Sequence, residues 1–166
     1  MPQYKKIKKP LRTNHKPSQQ LAAKTPEPKL HSGAISQTKS QEYSALVFKN
    51  VQALLESNND KDTIKRYKSL CKRSGGLLRS VGLIQFLSFL AAKATKDSEV
   101  HHQYLLNHLT AELNSVDIIK AQNSDGLLEK IRQQNLAQYM HTTTRVLKLL
   151  QWHKRIADIL ITGDAG

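Results

Sequence analysis

The sequence predicts an all-α protein: a single compact bundle of five to seven helices behind a disordered basic N-terminal arm. Apolar residues recur at helical spacing along most of the chain, and no alternating strand pattern competes with them. All five prolines (Pro2, Pro10, Pro17, Pro26 and Pro28) fall in the first 28 residues. Proline removes a backbone donor and is excluded from most helix interiors, so its confinement marks a boundary.

Residues 1–39 carry nine basic groups and one acid, Glu27, with few large apolar side chains. Such a segment cannot bury enough surface to offset its ordering entropy, which predicts a disordered arm. Residues 40–166 form the predicted helical domain and keep 17 bases against 12 acids. The whole chain of 166 residues has 26 bases and 13 acids, a formal charge of +13. That surplus points to a polyanionic partner rather than to any particular fold.

The first helix is predicted over about 41–56, with Tyr43, Val47, Val51, Leu54 and Leu55 on one face. Ser57 to Asp60 break it, and Asn59 or Asp60 can cap a second helix over about 61–73. There Ile64, Tyr67, Leu70 and Cys71 face inward. Gly75 and Gly76 are expected to interrupt this helix, because glycine weakens a helix interior by ~1 kcal/mol relative to alanine. A strongly apolar helix follows from Leu83 to about Thr95, and Asp97 or Ser98 can cap the next one. In that helix Leu105, Leu109, Leu113 and Val116 share a face. Asn123 to Gly126 look like a turn. The last helices cover about 127–135 and 137–161, the longer one burying Tyr139, Thr143, Val146, Leu150, Ala157 and Ile161.

Catalytic signals are poor, and no enzyme activity is expected. Gly75-Gly76 lacks the Gly-Lys-Ser/Thr of a phosphate loop, and no pair of carboxylates stands out. The one cysteine, Cys71, lies in the apolar phase of its helix, which predicts a small buried residue in a reducing cytoplasm. No apolar run approaches the ~20 residues that span a bilayer. His101 and His108, seven residues apart, are too distant to share a metal without other ligands. Solvent-facing or interfacial histidines, and neither metal nor cofactor, are therefore expected.

Two basic stripes are more informative. Lys61, Lys65, Lys68 and Lys72 recur at i, i+4, i+7 and i+11, which stacks them on one helix face, with Arg73 on a second edge. A phosphate backbone would relieve their mutual repulsion; a solvated face is the competing explanation. On the last helix Arg145, Lys148, Trp152 and Arg155 share a face opposite the apolar stripe, with Lys154 nearer the apolar side. Trp152 suits either a base or the edge of the core. Lysine-rich faces contact phosphates without reading bases.

Two blocks carry a family resemblance. The first is Leu77-Leu78-Arg79-Ser80-Val81-Gly82-Leu83, followed by Gln85, Phe86, Leu87, Phe89 and Leu90. The second is Tyr139-Met140, Thr144-Arg145 and Trp152-His153-Lys154-Arg155-Ile156-Ala157, with Tyr104, Leu105 and Leu109 between the two. Together they resemble the small-subunit family of Cmr-type (type III-B) CRISPR effector complexes over nearly all of 40–161. Gly75 stands where that family has a proline, and His153 where it is usually apolar. The resemblance implies a non-catalytic subunit whose copies stack head to tail beside other effector subunits. Its basic faces would line the groove for target RNA or the guide–target duplex. It carries over Arg79, Arg145, Lys154 and Arg155 as matched positions; the lysine stripe rests on spacing alone. The competing readings are a DNA-binding regulator, with Gly75-Gly76 as the turn of a helix-turn-helix, and a pure assembly adaptor.

Overall fold

A computed structural model describes residues 37–162. They form six α-helices: α1 (Lys39–Ser57), α2 (Lys61–Val81), α3 (Leu83–Ala94), α4 (Val100–Ser115), α5 (Ser124–Arg132) and α6 (Leu136–Leu160). A 3-10 turn, η1 (Asp97–Glu99), precedes α4, and there is no strand among the described residues. The arm expected over 1–39 lies outside the described residues except for its last three.

Local chemistry sets most of the boundaries. Thr38 accepts from the Gln41 amide while Gln41 reaches back to the Thr38 amide, a reciprocal cap that starts α1. Asp60 accepts from the Asp62 amide at 3.0 Å and starts α2. Asn135 and Gln138 repeat the reciprocal cap at α6. Gly82 sits between α2 and α3 at φ 82°, a left-handed conformation that side chains rarely adopt.

Three expectations need correction. Gly75 and Gly76 do not interrupt α2, which runs unbroken for 21 residues. Tyr67, Leu70 and Leu78 are buried on either side of the two glycines, and that packing outweighs a loss of about 1 kcal/mol per glycine. The turn of a helix-turn-helix is therefore absent there. Neither Asp97 nor Ser98 caps α4; both belong to η1, and α4 begins after Glu99. Asn123 to Gly126 are not a free turn: Asn123 accepts from the Gly126 amide at 2.8 Å and caps α5, which starts three residues earlier than its apolar pattern shows.

The core follows the predicted stripes. α6 packs on α1 and α2, α4 packs on α2 and α3, and α5 closes against α3 and α4. Tyr43, Val47 and Val51 of α1 are buried with Tyr67 and Leu70 of α2, and so are Phe86, Leu87 and Leu90 of α3. Leu105, Leu109 and Leu113 of α4 and Val146 and Leu150 of α6 complete the cluster. Each such side chain contributes roughly 1.5–3 kcal/mol by leaving water. The two blocks of family resemblance touch: the Ile84 amide, two residues past Gly82, donates to the Tyr139 hydroxyl at 3.2 Å.

Candidate nucleic-acid interface

The α2 stripe is only partly a surface. Lys61, Lys65, Lys72, Arg73 and Arg79 are exposed. Lys68 is buried, and its Nζ donates to the Ile161 carbonyl at 2.8 Å. Ile161 is the C-cap of α6, where helix carbonyls lack partners and the helix dipole favours a cation. Lys68 is thus corrected from a phosphate contact to a clasp on the end of α6. Asp158 of α6 stands 4.0 Å from the Lys68 ammonium and 3.6 Å from that of Lys72. Arg79 donates to the Gly75 carbonyl at 3.3 Å.

The α6 face divides in a similar way. Arg145 is half-buried and donates to the Tyr43 hydroxyl of α1 and to His141 Nε2, both at 3.1 Å. Its expected place opposite the apolar stripe is corrected: it leans onto α1. Lys148, Lys154 and Arg155 are exposed, and Trp152 is half-buried against the core. The Arg155 guanidinium lies over the indole, with Cζ 5.3 Å from the ring centroid, a cation–π contact.

Between α1 and α6, Lys148, Trp152 and Arg155 line a pocket of about 190 Å³ with Lys39, Ser40, Tyr43 and Gln151. Lys148 and Arg155 supply two cations, Lys39 a third that is paired with Glu42 at 3.0 Å, and Trp152 an aromatic surface. Among the described residues no acid lines the pocket. Phe48, an exposed aromatic one helix turn beyond Ser44, extends the surface past Trp152 through a second groove lined by Thr38, Ala45 and Ser44. Lys39 and the groove were not singled out in the sequence, because their position depends on how α1 lies along α6.

The interior holds a buried polar cluster. Tyr67 Oη lies 2.9 Å from both His108 Nδ1 and His153 Nδ1. His153 Nε2 lies 3.0 Å from the Glu112 carboxylate, which also accepts from Asn50 Nδ2 at 2.8 Å. Burial pushes the His153 imidazolium down, but Glu112 outweighs it and holds the group up at about 10. Burial, with His153 adding to it, pushes His108 down to about 3. Burial, aided by Cys71 and Glu112, holds the Tyr67 hydroxyl protonated. The proton order follows: charged His153 donates to Glu112 and to Tyr67, and Tyr67 donates to neutral His108. The cluster joins α1, α2, α4 and α6, and every member has a partner, so its geometry is that of a structural clasp. His153, at a position the family resemblance makes apolar, is buried after all, with a carboxylate supplied from α4. Cys71 is buried beside it as predicted. His101 and His102 are also buried, which corrects the expectation of solvent-facing histidines on α4.

No helix among the described residues is long and apolar enough to cross a membrane. Residues 39–160 match the family model of the CRISPR-associated protein Cas_Cmr5. The fold is also similar to that of a CRISPR-associated Cmr5 family protein from Thermus thermophilus, known from its X-ray crystal structure. The two are 25% identical, and the match covers 76% of this chain and 100% of that one at a TM-score of 0.61. The matched segment holds both resemblance blocks and all six helices up to the end of α6, and the chain belongs to the CRISPR-associated Cmr5 family.

Proposed function

We propose that this chain is the non-catalytic small subunit of a type III-B (Cmr) CRISPR RNA-guided effector complex in the cytoplasm, acting in antiviral defence. Copies stack head to tail beside the other effector subunits, and their basic faces follow target RNA, alone or paired with the guide. The observation that carries the RNA contact is the α1–α6 pocket, lined by Lys148, Arg155 and Trp152 together with Lys39, whose ammonium is paired with Glu42 at 3.0 Å. Cations neutralise phosphates, and an indole accepts any base face, so the site suits RNA of any sequence. Sequence choice then comes from guide–target pairing. Lys61, Lys65, Lys72, Arg73, Arg79 and Lys154 add exposed cations, and residues 1–39 add a net +8.

Head-to-tail stacking joins two different patches, and α6 offers one at each end. Leu136 and Met140 near its start are 75% and 60% exposed, and Ile159 near its end is 75% exposed. The DNA-binding alternative loses support with its missing turn. The adaptor alternative keeps the stacking and drops the RNA contact.

Purification of the tagged full chain from cells expressing its own effector complex tests the proposal. The expected result is co-purification of guide RNA and the other effector subunits, with cross-links from target RNA to the Trp152 region. Recovery of the chain alone would overturn it, and recovery of the complex without those cross-links would favour the adaptor.

A further inference from the structure

We propose that Glu99, His101 and His102 form a binding site for a divalent ion of the zinc type, where η1 enters α4. One ligand atom from each residue lies within 4.8 Å of the others. Glu99 Oε2 is 3.1 Å from His102 Nδ1 and 3.5 Å from His101 Nε2. In a tetrahedral zinc site with bonds of ~2.0–2.1 Å, neighbouring ligand atoms stand roughly 3.3 Å apart. Two edges of such a tetrahedron are already close to that length.

The local backbone explains the arrangement. Adjacent residues on a regular helix point about 100° apart, so two neighbouring histidines do not ordinarily converge. Glu99 precedes α4 with φ −118° and ψ 19°, outside the helix, and its carboxylate reaches both rings. The two imidazoles then lie with centroids 4.2 Å apart, and Phe89 of α3 sits edge-on to His102 at 5.5 Å.

The chemistry of the donors selects the ion. Imidazole nitrogen with one carboxylate suits zinc and its transition-metal neighbours, whereas magnesium and calcium favour oxygen. His101 and His102 are 3% and 1% exposed, so an ion held between them and Glu99 would be largely shielded from water. The ring nitrogens facing away from Glu99, His101 Nδ1 and His102 Nε2, have no hydrogen-bond partner among the described residues, whereas His102 Nδ1 also donates to the Glu99 carbonyl at 3.2 Å, so an ion binding there must displace that proton. The Glu99 side chain is a quarter exposed, which gives an ion access from solvent and leaves a coordination position for water. Arg66 and Arg73 act against a cation here, and Lys93 Nζ lies 3.9 Å from Glu99 Oε1. These charges set a modest affinity. A bound ion would tie η1 to α4 and stiffen the α3–α4 connection.

The test uses the untagged full chain, stripped with chelator and titrated with Zn²⁺ by calorimetry and with Co²⁺ by visible absorption. Glu99→Gln keeps the shape of a partly exposed side chain and removes the anionic ligand. It leaves His15 and His31 as they are, so binding by those residues cancels in the comparison. The expected result is one ion per chain, an affinity about tenfold or more weaker in Glu99→Gln, and a Zn²⁺-dependent rise in the unfolding midpoint of the original chain only. Equal affinity in the two proteins, or no rise specific to the original chain, would overturn the site.

Discussion

On α2, Lys61, Lys65, Lys68 and Lys72 recur at i, i+4, i+7 and i+11; on α6, Lys148, Trp152 and Arg155 recur at i, i+4 and i+7. The α2 stripe is turned partly inward: Lys68 holds the end of α6, and Asp158 lies close to both Lys68 and Lys72. The α6 stripe is turned outward over a pocket that it shares with the start of α1. The difference lies in what each face meets. α2 runs beside the C-terminal end of α6, which presents the Ile161 carbonyl and Asp158 to its lysines; α6 runs beside the start of α1, which presents Lys39 with its partner Glu42. Helical spacing fixes which side chains share a face, and the neighbouring helix decides whether that face is a clasp or a surface.

The strongest way to break this comparison removes the buried clasp that joins α2 and α6, the helices that carry the two faces. His153→Leu leaves Glu112 buried without its cation, and a stability loss of about 3–5 kcal/mol by chemical denaturation is expected. The same cluster sets a pH dependence. The His153 contribution is complete below the ordinary histidine value of 6.5 and is lost as pH rises through about 10. His108, held down at about 3, acts in the other direction. As pH falls below 6.5 the unfolded chain takes a proton that the folded chain refuses, and stability declines. The unfolding midpoint should therefore peak near pH 6.5, and His153→Leu should flatten the alkaline side.

Separate substitutions on the two faces sharpen the contrast. Lys68→Met should cost about 1–3 kcal/mol of stability, because a buried carbonyl and Asp158 lose a donor, with RNA affinity unchanged. Trp152→Ala should weaken RNA binding by roughly 1–3 kcal/mol in a filter or polarisation assay. Its helical circular dichroism should persist. The smallest effect is expected from Asp158→Asn, which releases Lys72: a gain in RNA affinity of a few tenths of a kcal/mol, on the scale of an exposed ion pair.

Much of the fold was legible in the sequence. Tyr43, Val47 and Val51, and likewise Leu105, Leu109 and Leu113, are buried as their spacing predicts, because a helix face is a local property. The glycine pair misled for a physical reason: a local propensity of about 1 kcal/mol per residue gave way to burial along a 21-residue helix. The site was less legible. Lys68 and Lys65 are indistinguishable by spacing, and only the position of Ile161 separates them. Glu112 carries no local sign of its partner His153, 41 residues later. Lys39 joins Lys148 across the bundle only once α1 and α6 have packed.

The outward face is tested most directly by the salt dependence of single-stranded RNA binding, measured for the full chain, for Lys148→Ala with Arg155→Ala, and for Lys68→Met. Each phosphate contact contributes about 0.7 to the slope of log affinity against log salt. The double substitution should make that slope shallower by roughly 1.4, and Lys68→Met should leave it unchanged. Identical slopes in all three proteins, or a shallower slope only for Lys68→Met, would contradict the assignment of RNA contact to the α1–α6 pocket.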